Sequence, residues 1–148
     1  MSRLSFTMAS GNPPRDGPAR LCIAIDDAAV AQAVAVAHSF AATAALPAET
    51  TARLSIVGEE LVANLVDHAD LPAGAGLELT LARAGERIAI TLADTAAPFD
   101  PRSDAPLAAI PDRGGSAGLA LVRAFARIDG YDRDGGRNRL RLSIPADT

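Results

Sequence analysis

The chain has 148 residues, a formal net charge of −4 and 49% hydrophobic residues, of which alanine is a large part. That length is one domain, long enough to bury a full core without cross-links. All 14 basic residues are arginine, which excludes a Walker A phosphate loop and Schiff-base chemistry, both of which need lysine. One cysteine, Cys22, excludes an internal disulfide and any Cys-rich metal site, and two histidines alone cannot build a multi-His centre. The acidic balance argues against direct nucleic-acid binding. No stretch has the ~18 apolar residues of a membrane span, and the first 20 residues have no signal-peptide core. The expected compartment is the cytoplasm.

Residues 1–19 are rich in Ser, Gly, Pro and Asn and read as a flexible tail, with a single domain over 20–148. Leu21, Ile23 and Ile25 alternate with smaller residues and predict a strand over 21–25. Cys22 lies in this apolar run and reads as a small core residue. Asp26 and Asp27 are candidate caps for an alanine-rich helix from Ala28 to about Ala45, in which His38 reads as core packing. Pro47 suits the first turn of a second helix running to about Ala69. Leu54, Val57, Leu61 and Leu65 form its core stripe, and Glu60, Asn64 and His68 a polar stripe beside it.

Two alternating strands follow, carrying Leu77, Leu79 and Leu81 and then Ile88, Ile90 and Leu92, joined by a turn at 84–86. Asp94 shares the parity of the second set, so its carboxylate is expected to face the helix layer. Residues 95–116 hold four prolines and no period, a loop long enough to be a lid. Glycines at 114, 115 and 118 precede or open a helix predicted from about Ala117 to Ile128, where free N–H groups suit a phosphate. A strand near Tyr131 and another over 139–144 close the chain around Asp134-Gly135-Gly136. Strands apolar on one face only predict a two-layer α/β sandwich, a mostly antiparallel sheet with three helices on one side.

Three segments in this order are more specific than any one of them. EELVANLVDHA resembles the E-x-x-x-N box, ADTAAPFDP the D-x-G-x-P-F-D-P box, and RGGSAGLALV the lid and G-L-x-L-V segment of the GHKL (Bergerat-fold) ATPases. Within these the chain resembles anti-sigma-factor serine/threonine kinases of the RsbW type, over roughly residues 20–145. The resemblance implies the Bergerat fold, ATP and Mg²⁺ as cofactors, and a STAS-type anti-anti-sigma protein or a sigma factor as partner. It also implies a homodimer. By the same resemblance, Glu60 is the general base and Asn64 the Mg²⁺ ligand. Asp94 accepts from the adenine amino group. Ala96, Phe99, Gly114, Gly115, Gly118 and Leu119 line the nucleotide, and His68 is a structural hydrogen-bonder.

Two features depart from the family pattern. Ala96 stands where the family has glycine, so a methyl meets the place where backbone approaches the base. The lid segment GGSAGL is irregular, with Ala117 at a common glycine position. The kinase reading therefore competes with a second one, a catalytically weak or inactive nucleotide-binding or interaction module of a bacterial signalling pathway. A histidine-kinase catalytic domain is a weaker third reading, because the chain has no phosphoacceptor helix pair.

Overall fold

A computed structural model describes residues 3–4, 17–68, 71–96 and 115–147. Its strands are β1 (Arg3–Leu4), β2 (Ala19–Ala24), β3 (Gly76–Ala84), β4 (Arg87–Asp94), β5 (Arg127–Asp134) and β6 (Arg137–Pro145). They form a six-stranded sheet in the order β1-β2-β3-β4-β6-β5, with every neighbouring pair antiparallel. The helices are α1 (Ala29–Thr43), α2 (Ala48–His68) and α3 (Gly115–Phe125). The alternation that predicted the strands also fixes which face is buried. Leu21, Ile23, Leu77, Leu79, Leu81, Ile88, Ile90, Leu92, Leu140, Leu142 and Ile144 all lie in one core. Phe40 of α1, Leu54, Val57 and Leu61 of α2 and Val122 of α3 join that same core, so the expected two-layer sandwich is the observed one.

Alanine makes up most of the buried face of α1. Ala29, Ala33, Ala37 and Ala41 are buried along it at helical spacing, with Val36 and Phe40 filling the space between. The start of α2 is tied to the end of β6 by a buried hydrogen bond, in which the Thr50 hydroxyl donates to the Ala146 carbonyl at 3.2 Å. Ala146 in turn donates its N–H to the Glu86 carbonyl at 2.8 Å. The β5–β6 hairpin turns on Gly135 and Gly136, with φ of 58° and 76°. Two consecutive left-handed residues match the right-handed twist of the flanking strands, and glycine adopts them without a Cβ clash.

Several local expectations are corrected. Cys22 is exposed rather than in the core, because Leu21 and Ile23 point inward and period two turns residue 22 outward. There its thiol lies 3.4 Å from Glu78 Oε2, which also takes the Arg20 guanidinium at 2.6 Å. The Arg20 hydrogen bond holds the Glu78 carboxyl below its ordinary range. His38 is exposed as well, with Nε2 3.4 Å from Ser55 Oγ of α2. Val36, Ala37, Phe40 and Ala41 take the inward positions of that helix. Arg3 and Leu4, inside the segment read as a tail, pair with Cys22 and Leu21.

Helix ends differ from the predicted ones for identifiable reasons. The N-cap of α1 is Ala28, without a side-chain cap, and Asp26 Oδ1 instead accepts from the Ala28 N–H at 2.9 Å. Pro47 stands just before α2 rather than inside it, and its carbonyl accepts from both the N–H and the hydroxyl of Thr51. The third helix stops at Phe125, because Ile128 pairs with Leu142 in the sheet and packs against the core from there. A β-branched side chain is well suited to that pleated surface.

Helix α1 ends with Ala45 at φ 54°, the single described non-glycine residue in the left-handed region. The Leu46 N–H reaches back to the Ala41 carbonyl at 3.0 Å, and Leu46 packs on the core. This is the turn in which glycine is the usual residue. A left-handed Cβ costs about 1–2 kcal/mol, and the entropy that glycine adds to the unfolded chain takes back part of that. Ala45→Gly is expected to stabilise the protein by about 0.5–1 kcal/mol, read as a rise of about 2–4 °C in melting temperature. A lower melting temperature contradicts the strained assignment.

Candidate functional site

The site grows from the end of β4. Asp94 has the parity of Ile88, Ile90 and Leu92, so its carboxylate points to the helix-covered side, and the residue is 5% exposed. Removing a carboxylate from water costs several kcal/mol unless donors replace the lost hydration. Two donors do so, both at Oδ1: the Ala96 N–H at 3.0 Å and Asn138 Nδ2 at 2.9 Å. Asn138 sits directly opposite Asp94 in the β4–β6 register and is itself 4% exposed. No hydrogen bond among the described residues reaches Asp94 Oδ2, which is left to take a further donor.

The partners of Asp94 are themselves held. Asn138 Oδ1 accepts from the Tyr131 hydroxyl at 2.6 Å and from Arg133 Nη1 at 2.9 Å. Asn138 Nδ2 and Arg133 Nη1 both donate to the Ala96 carbonyl, each at 3.1 Å. Ala96 is thus fixed at its N–H and at its carbonyl, and is 2% exposed. Thr95 adds a further tie. Its N–H donates to the Gly76 carbonyl at 3.2 Å and its hydroxyl accepts the Gly76 N–H at 3.0 Å. The end of β4 and the segment leaving it are held by five hydrogen bonds to three other strands and one of their own.

An irregularity in β5 delivers Tyr131 and Arg133 to this place. Ile128 pairs with Leu142, but Gly130 pairs with Arg141, so one extra residue is inserted on β5. A bulge of that kind reverses the alternation beyond it. Tyr131 then pairs with Leu140 and Arg133 with Asn138, both on the helix-covered side. A Cβ at Gly130 would meet the guanidinium of Arg141, which bonds Asp132 and would have to shift aside. Of these residues, Asn138 had a legible signal, because it shares parity with Leu140, Leu142 and Ile144. Tyr131 and Arg133 had none without the bulge.

Glu60 and Asn64 lie one turn apart on α2, both half-buried, beside the fully buried Val57 and Leu61. No hydrogen bond among the described residues engages either side chain. His68 is the last residue of α2. Gly115, Gly118 and Leu119 fall in the first turns of α3, so the helix opens two residues earlier than predicted and takes these glycines into itself. That helix is fastened to α2 by Arg53, whose guanidinium lies 5.9 Å from the centroid of the Phe125 ring. Phe99, Gly114 and the remainder of the expected lid lie outside the described residues. Among the described residues, no three His, Cys, Asp or Glu side chains form a metal-binding group. No described helix is long and apolar enough to cross a membrane.

The described elements thus form a helix-covered antiparallel sheet, with an inward carboxylate ending one central strand and a polar Glu–Asn pair on a covering helix. Known proteins share this fold. The family described as the histidine kinase-like ATPase domain matches residues 23–144, and the chain belongs to it. Membership in an ATPase-domain family implies nucleotide binding. The chain is 34% identical over 95 residues to the serine/threonine-protein kinase BtrW of Bordetella bronchiseptica, an overlap of 61% of this chain and 67% of the relative.

Solved structures share the fold at lower identity. The RsbU and RsbW domains of Rv1364c from Mycobacterium tuberculosis match with a TM-score of 0.56 and 18% identity, covering 88% of this chain and 34% of that one. The blue-light activated histidine kinase EL346 of Erythrobacter litoralis matches with a TM-score of 0.52 and 24% identity, covering 68% and 32%. This chain therefore corresponds to about a third of each of those longer proteins.

Ala96 has no left-handed φ, so glycine is not required there for backbone conformation. Its methyl is buried, and Ala96→Gly removes that burial while loosening the unfolded chain. Without ligand the variant is expected to lose about 1–2 kcal/mol and melt a few degrees lower. An unchanged melting curve shows that this methyl packs against nothing that matters for stability.

Proposed function

We propose that the protein is an ATP-binding serine/threonine protein kinase of the anti-sigma type. It phosphorylates a Ser or Thr of a small STAS-type antagonist and sequesters a sigma factor or similar partner. The observation that carries this reading is Asp94: buried, fixed through Oδ1, and with Oδ2 unclaimed among the described residues. A carboxylate oxygen held in one orientation suits the exocyclic amino group of adenine, and family membership supports a nucleotide as the ligand. The relative BtrW supports serine or threonine as the class of acceptor.

Phosphoryl transfer asks a protein for positioning and charge neutralisation rather than covalent chemistry. Asp94 Oδ2 accepts from the base. The N–H groups of the first turn of α3, from Gly115 through Gly118, face anionic phosphate at the positive end of the helix dipole. Glu60 takes the proton of the acceptor hydroxyl as its oxygen attacks. Asn64, half-buried and with no described hydrogen-bond partner, is the residue that would hold Mg²⁺. The residues fit that ion, because Mg²⁺ accepts one protein oxygen with phosphate and water completing its shell. When bound, Mg²⁺ neutralises charge on the phosphates.

The competing reading, a module with weak or no kinase activity, is favoured by Ala96 in place of glycine. Both hold nucleotide in common and part at transfer, so two variants separate them. Asp94→Asn keeps the size of the side chain and removes the charged acceptor. A hydrogen bond to a charged group contributes about 1.5–3 kcal/mol, so ATP affinity measured by calorimetry is expected to fall at least about tenfold. Equal affinities in the two proteins remove Asp94 from base recognition. Glu60→Gln is expected to bind ATP almost as the parent does and to slow phosphate transfer to an antagonist protein by about 10²–10⁴. Transfer at the parental rate excludes Glu60 as the base. A parent protein that binds ATP yet transfers no phosphate supports the interaction-module reading.

A further inference from the structure

Nothing in the family resemblance or the proposed chemistry assigns a role to Asn138, Tyr131 or Arg133, yet they form a polar network that leads from the surface to the buried Asn138 and Asp94. The polarity of this network is fixed by chemistry. Arg133 has no acceptor, so the atom it meets on Asn138 at 2.9 Å must be the amide oxygen. The Tyr131 hydroxyl donates to the same oxygen at 2.6 Å. The amide nitrogen is thereby turned toward Asp94 Oδ1 and the Ala96 carbonyl, both acceptors. A flipped amide would set its oxygen against a carboxylate oxygen and a carbonyl, and its N–H₂ against a guanidinium.

We propose that Asn138, locked by Tyr131 and Arg133, is a positioning residue that occupies Asp94 Oδ1 and leaves Oδ2 as a fixed acceptor, so that the site selects a 6-aminopurine over a 6-oxopurine. This rests on the nucleotide reading above and adds the residues that set base selectivity. An amino group offers the fixed acceptor a hydrogen, whereas a 6-oxo group offers a second lone pair to a carboxylate that cannot turn away. Discrimination of that kind depends on the acceptor being unable to reorient, because a site with unpaired buried polar groups rejects the wrong partner most strongly. The same clamp fixes Ala96 through its carbonyl, which keeps the backbone beside Asp94 in register with the carboxylate.

The test is calorimetric titration of the full chain with ATP and with inosine triphosphate, which differs at the 6-position. The parent is expected to prefer ATP by about tenfold or more. Tyr131→Phe combined with Arg133→Met leaves Asn138 in place and removes both donors that orient it. Arg133 is exposed and Tyr131 only half-buried, so this variant spares the core. Its preference for ATP is expected to shrink severalfold, with weaker ATP binding and little loss in inosine triphosphate binding. Asn138→Leu is expected to abolish the preference, and the double variant decides the question if Asn138→Leu does not fold. A merely structural role would weaken both nucleotides in parallel and leave the ratio at the parental value, which overturns the proposal while nucleotide binding stands. A parent that binds neither nucleotide at millimolar concentration overturns the nucleotide reading itself.

Discussion

The burial of one carboxylate organises the end of this fold that carries the candidate site. Asp94 closes a central strand on its helix-covered side, and an ion placed there must recover by hydrogen bonding what it loses in hydration. That requirement accounts for Asn138 on the neighbouring strand, in a row otherwise filled by Leu140, Leu142 and Ile144. It accounts for the turn at Ala96, whose N–H points back at the carboxylate. Asn138 is buried too and must itself be satisfied, which draws in Tyr131 and Arg133. A partly satisfied buried network is worse than an apolar one, and every polar atom of Asn138's side chain is engaged here.

The rest of the molecule can be built around that end because its core is one-sided and made of small parts. The buried face of α1 is mostly alanine, and large side chains from β3, β4 and β6 fill the layer beneath α2. Glu60 and Asn64 are then held at half-exposure beside Val57 and Leu61, on a helix whose first turn is bonded to the last strand. The opposite face of the sheet carries short residues and ion pairs such as Arg20 with Glu78 and Arg141 with Asp132. Such exposed pairs contribute about 0–1 kcal/mol each, so they keep that face soluble rather than hold the fold together.

Wherever alternation was strict, the sequence alone determined the structure. Leu77, Leu79 and Leu81 define β3, Ile88, Ile90 and Leu92 define β4, and the parity of Asp94 places its carboxylate inward, because the pleat repeats every two residues. The helical spacing of Leu54, Val57 and Leu61 likewise fixes the buried face of α2. The reading went wrong where residue type was weighed above this periodicity, as for Cys22 and His38, both of which face outward. What only the tertiary structure decided is the company Asp94 keeps. Strand order sets Asn138 opposite Asp94 across 44 residues of sequence, and no local pattern encodes which strands become neighbours. The bulge between Ile128 and Gly130 reverses the alternation of β5 and brings Tyr131 and Arg133 to the helix-covered side. The bulge is seen only in the register of β5 against β6, which the sequence of β5 read by itself does not contain.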